Sequence, residues 1–159
     1  MNMKMKQEEQ ISPGKVLEMT EVFNTTPERL FKAWTNEKDF VAWYGPEGFE
    51  VRYCKLDVRV GGNWRTGISN RDGDQYWMEG KYIEIIEGER LVFTFNDGSE
   101  NKNADLETVV TIIFSKSGNQ TIMNFNQSAF KTVESRDSHY GGWSSAFNCL
   151  RNHIDDKSK

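Results

Sequence analysis

The side chains able to do chemistry in this 159-residue chain are few, and their spacing does not suit it. His139 and His153 are the two histidines, 14 positions apart in a stretch that reads as one helix. About 20 Å along the axis would separate them, so they do not share a metal ion. Capping or surface contact suits both, and His153, near the helix C-terminus, is favourably placed to carry charge. The run Asn70-Arg71-Asp72-Gly73-Asp74 has the carboxylates of a calcium loop. Counted from Asn70, however, the sixth position is Gln75 where such a loop needs Gly, and the twelfth is Lys81 where it needs Glu. It reads as a hairpin tip, with Asp and Gly supplying turn geometry.

Cys54 and Cys149 form no CxxC pair. With no export signal a disulfide is not expected, and both read as small buried hydrophobes. A catalytic Ser or Cys needs a paired His, and no such pairing emerges. Neither GxSxG, a P-loop nor a dinucleotide-type glycine pattern is present, so Gly61-Gly62 is turn chemistry. With 24 acidic residues, paired carboxylates can always be nominated and mean little. Asp57 with Arg59 or Arg65 reads as an ion pair on adjoining strands, a weak and common feature. No catalytic residue, metal ligand or cofactor is expected.

What remains is an apolar interior. Hydrophobic residues are only 36% of the chain, yet aromatics reach 13%, with five Trp and ten Phe. Trp43, Phe49, Trp64, Trp77, Met78, Tyr82, Phe93, Phe95, Met123, Phe125, Trp143 and Phe147 either line a pocket or simply fill the core. Binding pockets are mostly apolar with a few polar groups, and Tyr82, Gln127 and Asn148 are the candidates for those. The net charge of −4 and pI of about 5.3 argue against nonspecific nucleic-acid binding, which needs clustered Lys and Arg. No apolar run approaches the roughly 18–20 residues of a membrane span. Met1 to Gly14 is polar with no apolar centre, so it reads as a mobile arm and not a signal peptide.

These side chains need elements to hold them. Along Glu134 to Asp156, Trp143, Phe147, Leu150 and Ile154 make one helical stripe. Gly141, Gly142, Ala146 and Cys149 beside it would let a second layer approach closely, and Ser138 and its polar neighbours suit the helix start. The other face, Ser144, Asn148, Arg151 and Asp155, is polar. A one-faced helix needs a cover, and nearly everything upstream reads as strand. Lys15 to Asn24 alternates, with Leu17, Met19 and Phe23 inward and Glu21 interrupting them. Thr25-Thr26-Pro27-Glu28 signals a helix start, and Thr35 or Asn36 caps a second short helix that Tyr44-Gly45-Pro46 ends. Strands follow at Val51–Val60, Trp64–Ser69, Tyr76–Ile86, Arg90–Asn96, Glu107–Ser115 and Thr121–Ser128, with an exposed loop over Asp97 to Asp105. Short turns make neighbouring strands antiparallel. One domain over 15–156 is expected, between the arm at 1–14 and a tail at 157–159.

Several runs resemble one family: Phe23-Asn24-Thr25-Thr26-Pro27-Glu28-Arg29-Leu30-Phe31-Lys32-Ala33-Trp34-Thr35, Trp43-Tyr44-Gly45-Pro46-Glu47-Gly48-Phe49, Cys54 to Trp64, Glu89 to Phe95, and Gly142-Trp143 followed by Phe147 and Leu150. Together they resemble the START-like (SRPBCC) superfamily, in the branch named for the activator of heat-shock protein 90 ATPase. The resemblance implies an α+β helix-grip fold, as in the birch-pollen allergen: a curved seven-stranded antiparallel sheet around a long C-terminal helix, with two short helices after the first strand. It also implies a cavity between sheet and helix for a small hydrophobic or aromatic ligand, in a cytoplasmic protein. A stress-related chaperone ATPase modulator and a cyclase-like enzyme are the other roles it suggests. The chain departs from the family at Thr25-Thr26, where Ala-Pro is usual, and at Gln127, where His is frequent. The eukaryotic namesake's additional chaperone-binding domain has no room here.

Overall fold

The computed structural model describes residues 15–97 and 107–156. The expected arm and tail, and nearly all of the expected loop over Asp97 to Asp105, lie outside these residues. The elements are β1 (Leu17–Phe23), α1 (Pro27–Thr35), α2 (Glu37–Trp43), β2 (Phe49–Leu56), β3 (Asn63–Asn70), β4 (Gln75–Ile86), β5 (Arg90–Phe95), β6 (Thr108–Ser117), β7 (Gln120–Ser128) and α3 (Val133–Asp155). All pairings are antiparallel, in one seven-stranded sheet of order β1-β7-β6-β5-β4-β3-β2. This is the helix-grip arrangement. No helix among the described residues is long and apolar enough to cross a membrane.

Local chemistry sets the boundaries. Thr26 accepts from the Arg29 N–H, Pro27 takes the first turn of α1 and Glu28 follows, three choices that satisfy or tolerate the orphan donors of a helix start. Asn36 then caps α2 through the Asp39 N–H. The α3 cap is Thr132, accepting from the Ser135 N–H, and not Ser138, which sits inside the helix. β2 ends at Leu56, short of Val60. Asp57 to Gly62 folds into a turn closed by Arg59 N–H to Asp57 O and Gly62 N–H to Arg59 O. Asp57 therefore pairs with Arg59 inside that turn at 2.9 Å, while Arg65 pairs across strands with Glu79 at 3.4 Å. At the opposite end of β2 the register slips between Val51 and Tyr53.

The core lies between α3 and the sheet. Trp143, Ala146, Phe147 and Leu150 of α3 are buried, while Ile154 packs at its edge. Polar ties fix the helix. Trp143 donates to Gln127 Oε1 at 2.8 Å, Gln127 Nε2 donates to Thr108 Oγ1, and Thr108 donates to the Phe95 carbonyl, a buried relay from α3 across β7 and β6 to β5. Glu21, the interruption in β1, reaches Arg151 at 2.8 Å, and that guanidinium also lies 4.8 Å from the centre of the Phe23 ring. Asp39 of α2 accepts from Arg29 of α1 at 2.9 Å and faces His153 Nε2 of α3 at 2.8 Å. Burial alone would raise the Asp39 carboxyl; hydrogen bonds from His153 and Arg29 outweigh it and hold the group below its ordinary range.

Candidate ligand-binding cleft

The space between sheet and helix is unevenly filled. At its centre Trp34 of α1 stands among the rings of Phe40, Trp43, Phe93, Phe125, Trp143 and Phe147, with centroids 4.8–6.4 Å away. Only a void of about 20 Å³ remains there, bounded by Trp34, Phe40, Tyr44, Leu56, Trp64, Tyr82, Leu91, Phe93, Phe95 and Trp143. Towards the N-terminal half of α3 the packing opens into a solvent-accessible cleft of about 1080 Å³. Its walls are Phe49, Ile68, Tyr76 and Met78 on the strands and Gly141, Gly142, Trp143 and Ala146 on the helix. Tyr44, Gly45 and Pro46 close one side; Phe95, Asp97 and His139 close the other.

Each wall follows from its sequence. Tyr44-Gly45-Pro46 leaves α2 through Gly45 at φ 100°, a conformation side chains resist, and a Cβ there would already touch Ile68 at 3.6 Å. The paired glycines of α3 do not admit a close-packed layer as their size predicts. A Cβ on Gly141 would meet nothing within 4 Å, and one on Gly142 would meet only Pro46 Cγ at 4.0 Å. They leave space. His139, not placed in any site by its spacing, closes the far side: Nδ1 lies 2.9 Å from the Ser135 carbonyl, Nε2 lies 3.1 Å from Asp97 Oδ1, and the ring rests on Phe95 and Phe130. The first turns of α3 are thereby clipped to the end of β5.

The charged residues of the lining come already paired. Arg65 meets Glu79 at 3.4 Å and lies 4.4 Å over the Trp77 ring; Asp137 meets Arg136 at 2.6 Å; Asp97 meets His139. Burial drives the Tyr44 and Tyr82 phenols far above their ordinary range, so both stay neutral donors. Burial, with the Glu37 carboxylate adding to it, pushes the Cys54 thiol up to about 12. Cys149 is raised mainly by burial. Neither cysteine is a thiolate at neutral pH. Among the described residues no cluster of His, Cys, Asp or Glu has a metal-binding arrangement.

Of the aromatic set picked from the sequence, Phe49, Trp77, Met78, Phe95 and Trp143 line the cleft, and Trp64, Tyr82 and Phe93 line the inner void. Trp77 reaches only the rim: it covers Gly67 on the outer face of the sheet, beside Tyr53, where an added Cβ would lie 2.8 Å from the indole. Trp43, Met123, Phe125 and Phe147 are core residues bordering neither space. Gln127 is wholly buried, and its amide is committed to Trp143 and Thr108, so it is a structural group rather than a polar wall of a cavity. Asn148 faces solvent, as the polar side of the helical stripe requires. Sequence reasoning missed Tyr44, Gly45, Pro46, Ile68, Tyr76 and His139. The first three carried a signal, a Tyr-Gly-Pro turn between helix and strand, that marks a chain reversal without showing what the reversal encloses.

A protein-family profile described as Activator of Hsp90 ATPase homolog 1-like protein matches residues 24–155. The chain belongs to that family. Comparison with curated protein sequences gives no match. Among solved structures, a protein from Chromobacterium violaceum superposes with a TM-score of 0.82 at 21% identity, covering 90% of this chain and 99% of that one. An AHSA1 protein from Silicibacter pomeroyi gives 0.79 at 23% identity, covering 87% and 96%. A protein from Nitrosomonas europaea gives 0.77 at 16% identity, covering 93% and 99%. At these identities the likeness is one of fold. Membership of the activator of Hsp90 ATPase homolog 1-like family agrees with the START-like resemblance of the residue runs, and the observed strand order is that of the helix-grip fold the resemblance implies.

Proposed function

We propose that this protein binds a small, neutral, apolar or aromatic ligand in the cleft between β2–β4 and the N-terminal half of α3, as a cytoplasmic START-like domain. The observation that carries the reading is the opening itself: about 1080 Å³, with Phe49, Ile68, Tyr76, Met78 and Trp143 on its walls and charged residues such as Arg65, Glu79, Asp97 and His139 around them, at the upper end of the size of small-molecule sites. Neutrality follows from the rim. Arg65 and His139, the basic groups of the lining, already face Glu79 and Asp97, so a ligand carboxylate or phosphate would have to break an existing pair. Chemical-shift mapping with a panel of neutral aromatics and their carboxylate analogues tests this. The expected result is perturbation centred on Tyr76, Met78 and Gly142 by the neutral members. Shifts scattered over the surface, or tighter binding of the carboxylates, overturn it.

The family description favours a second reading, modulation of an Hsp90-type ATPase through an exterior surface. Adding the purified protein to the chaperone of its host and measuring ATP turnover tests it, and an unchanged rate sinks it. An enzymatic role, the third reading, has least support, since both thiols, half-buried where the sequence suggested buried ones, are protonated and the lining carboxylates are paired.

A further inference from the structure

Four of the five tryptophans are buried, and three of these have an acceptor for the indole N–H. Trp43 donates to the Ala33 carbonyl at 2.9 Å, Trp64 to the Thr94 carbonyl at 3.0 Å and Trp143 to Gln127 at 2.8 Å. Trp34 is the exception. Its Nε1 is buried with no acceptor among the described residues, and the side chain is only 2% exposed. A buried donor without a partner is rare and destabilising, and each instance calls for a reason. Repacking does not supply one, because six aromatic rings confine the indole.

Trp34 borders the inner void, and that void measures about 20 Å³. A single oxygen atom of water needs about 10–15 Å³ on the same kind of measure, so the space suits one oxygen and not a larger group. Tyr44, Phe95 and Trp143 line both the void and the cleft. The partition between the two spaces is thus made by three side chains, each touching both.

We propose that the inner void is an oxygen subsite of the cleft: the leading carbonyl oxygen of a neutral aromatic ligand passes between Tyr44, Phe95 and Trp143 and accepts from Trp34 Nε1–H. The inference rests on the cleft-binding reading and narrows its ligand class to aromatics that carry a terminal acceptor. Trp34 gains the partner it lacks, and the ligand places its polar atom at the one indole N–H among the buried tryptophans that has no acceptor among the described residues. A hydrocarbon of the same shape leaves that donor unpaired and forfeits the interaction.

Two probes of matched shape, 2-acetylnaphthalene and 2-isopropenylnaphthalene, differ in C=O against C=CH2. Each is titrated into ¹⁵N-labelled protein while the tryptophan indole cross-peaks are followed, with Trp34 assigned from its through-space contacts to the Trp43 and Phe125 rings. The ketone is expected to move the Trp34 Nε1–H peak downfield and to bind about fivefold to tenfold tighter than the hydrocarbon. Trp34→Phe should bring the ratio close to one. If both probes perturb Tyr76, Met78 and Gly142 while Trp34 Nε1–H stays fixed and their affinities are equal, the subsite is wrong and the cleft reading stands. If neither probe perturbs the cleft, both fall. The cross-peak measurement uses the native protein, so the test survives a Trp34→Phe variant that fails to fold.

Discussion

The two halves of α3 are one helix doing different work. From Trp143 to Asp155 the helix is gripped: Trp143, Phe147 and Leu150 are buried, Arg151 is tied to Glu21, and His153 faces Asp39. From Val133 to Gly142 it spans an opening, held by its Thr132 cap and by His139 at Asp97, with two glycines facing space. Stability is concentrated in the first region and access in the second. The division shows that a helix-grip fold need not hollow out its centre to hold an open space; it can leave one end of the grip open.

Substitutions in the two halves should therefore separate stability from binding. The largest effect is expected from Phe147→Ala, which removes a ring in contact with Trp34, Phe125 and Trp143. Urea unfolding should show a loss of about 3–5 kcal/mol, and a loss below 1 kcal/mol would mean that the gripped half is looser than its burial implies. Asp39→Asn removes the charge that draws Arg29 and His153 together, and is expected to lower stability by about 2–3 kcal/mol at neutral pH.

The Asp39 effect carries a pH signature. Its folded carboxyl titrates below the ordinary carboxylate value, so folding favours the ionised form. The resulting stability is fully present above the unfolded value near ~4 and is lost as pH falls through the lower, folded one. The gap between native and Asp39→Asn unfolding free energies should narrow below that point; a gap independent of pH down to the acid transition would contradict it. A smaller loss, about 1–2 kcal/mol, is expected from Trp143→Phe, which leaves Gln127 Oε1 buried without its donor. Reduced near-ultraviolet ellipticity with an unchanged far-ultraviolet spectrum would accompany it.

The sharpest contrast comes with the smallest change in stability. Gly142→Leu adds a side chain where a Cβ meets only Pro46, and a helix-favouring residue replaces glycine. Thermal unfolding should be unchanged or raised by up to about 1 kcal/mol, while affinity for a neutral aromatic probe should fall at least tenfold. Unaltered affinity would place the site elsewhere.

Much of the architecture was legible because periodicity reports burial directly. The four-three-four spacing from Trp143 to Ile154, the Thr26-Pro27-Glu28 start and the alternation of β1 led to the right elements in the right order. The exact strand limit at Leu56 was not legible, because Asp57 to Val60 continues an alternating pattern while the chain turns. The site was less readable. Hydrophobicity distinguishes inside from outside and does not distinguish a wall from a filler, so Phe125 and Met123 looked equivalent to Phe49 and Met78. Gln127 and Asn148 illustrate the same gap, since one polar side chain was consumed by the core and the other by solvent. What decided each case was a distant neighbour: Trp143 for Gln127, and Pro46 for Gly142.

The register slip in β2 has a further consequence. β2 is an outer strand of the sheet, and Glu50, Arg52, Tyr53 and Lys55 on it are exposed. A broken ladder studded with charge offers a second molecule no straight template for strand addition. The flank that frames the cleft can therefore stay wet without seeding fibrils.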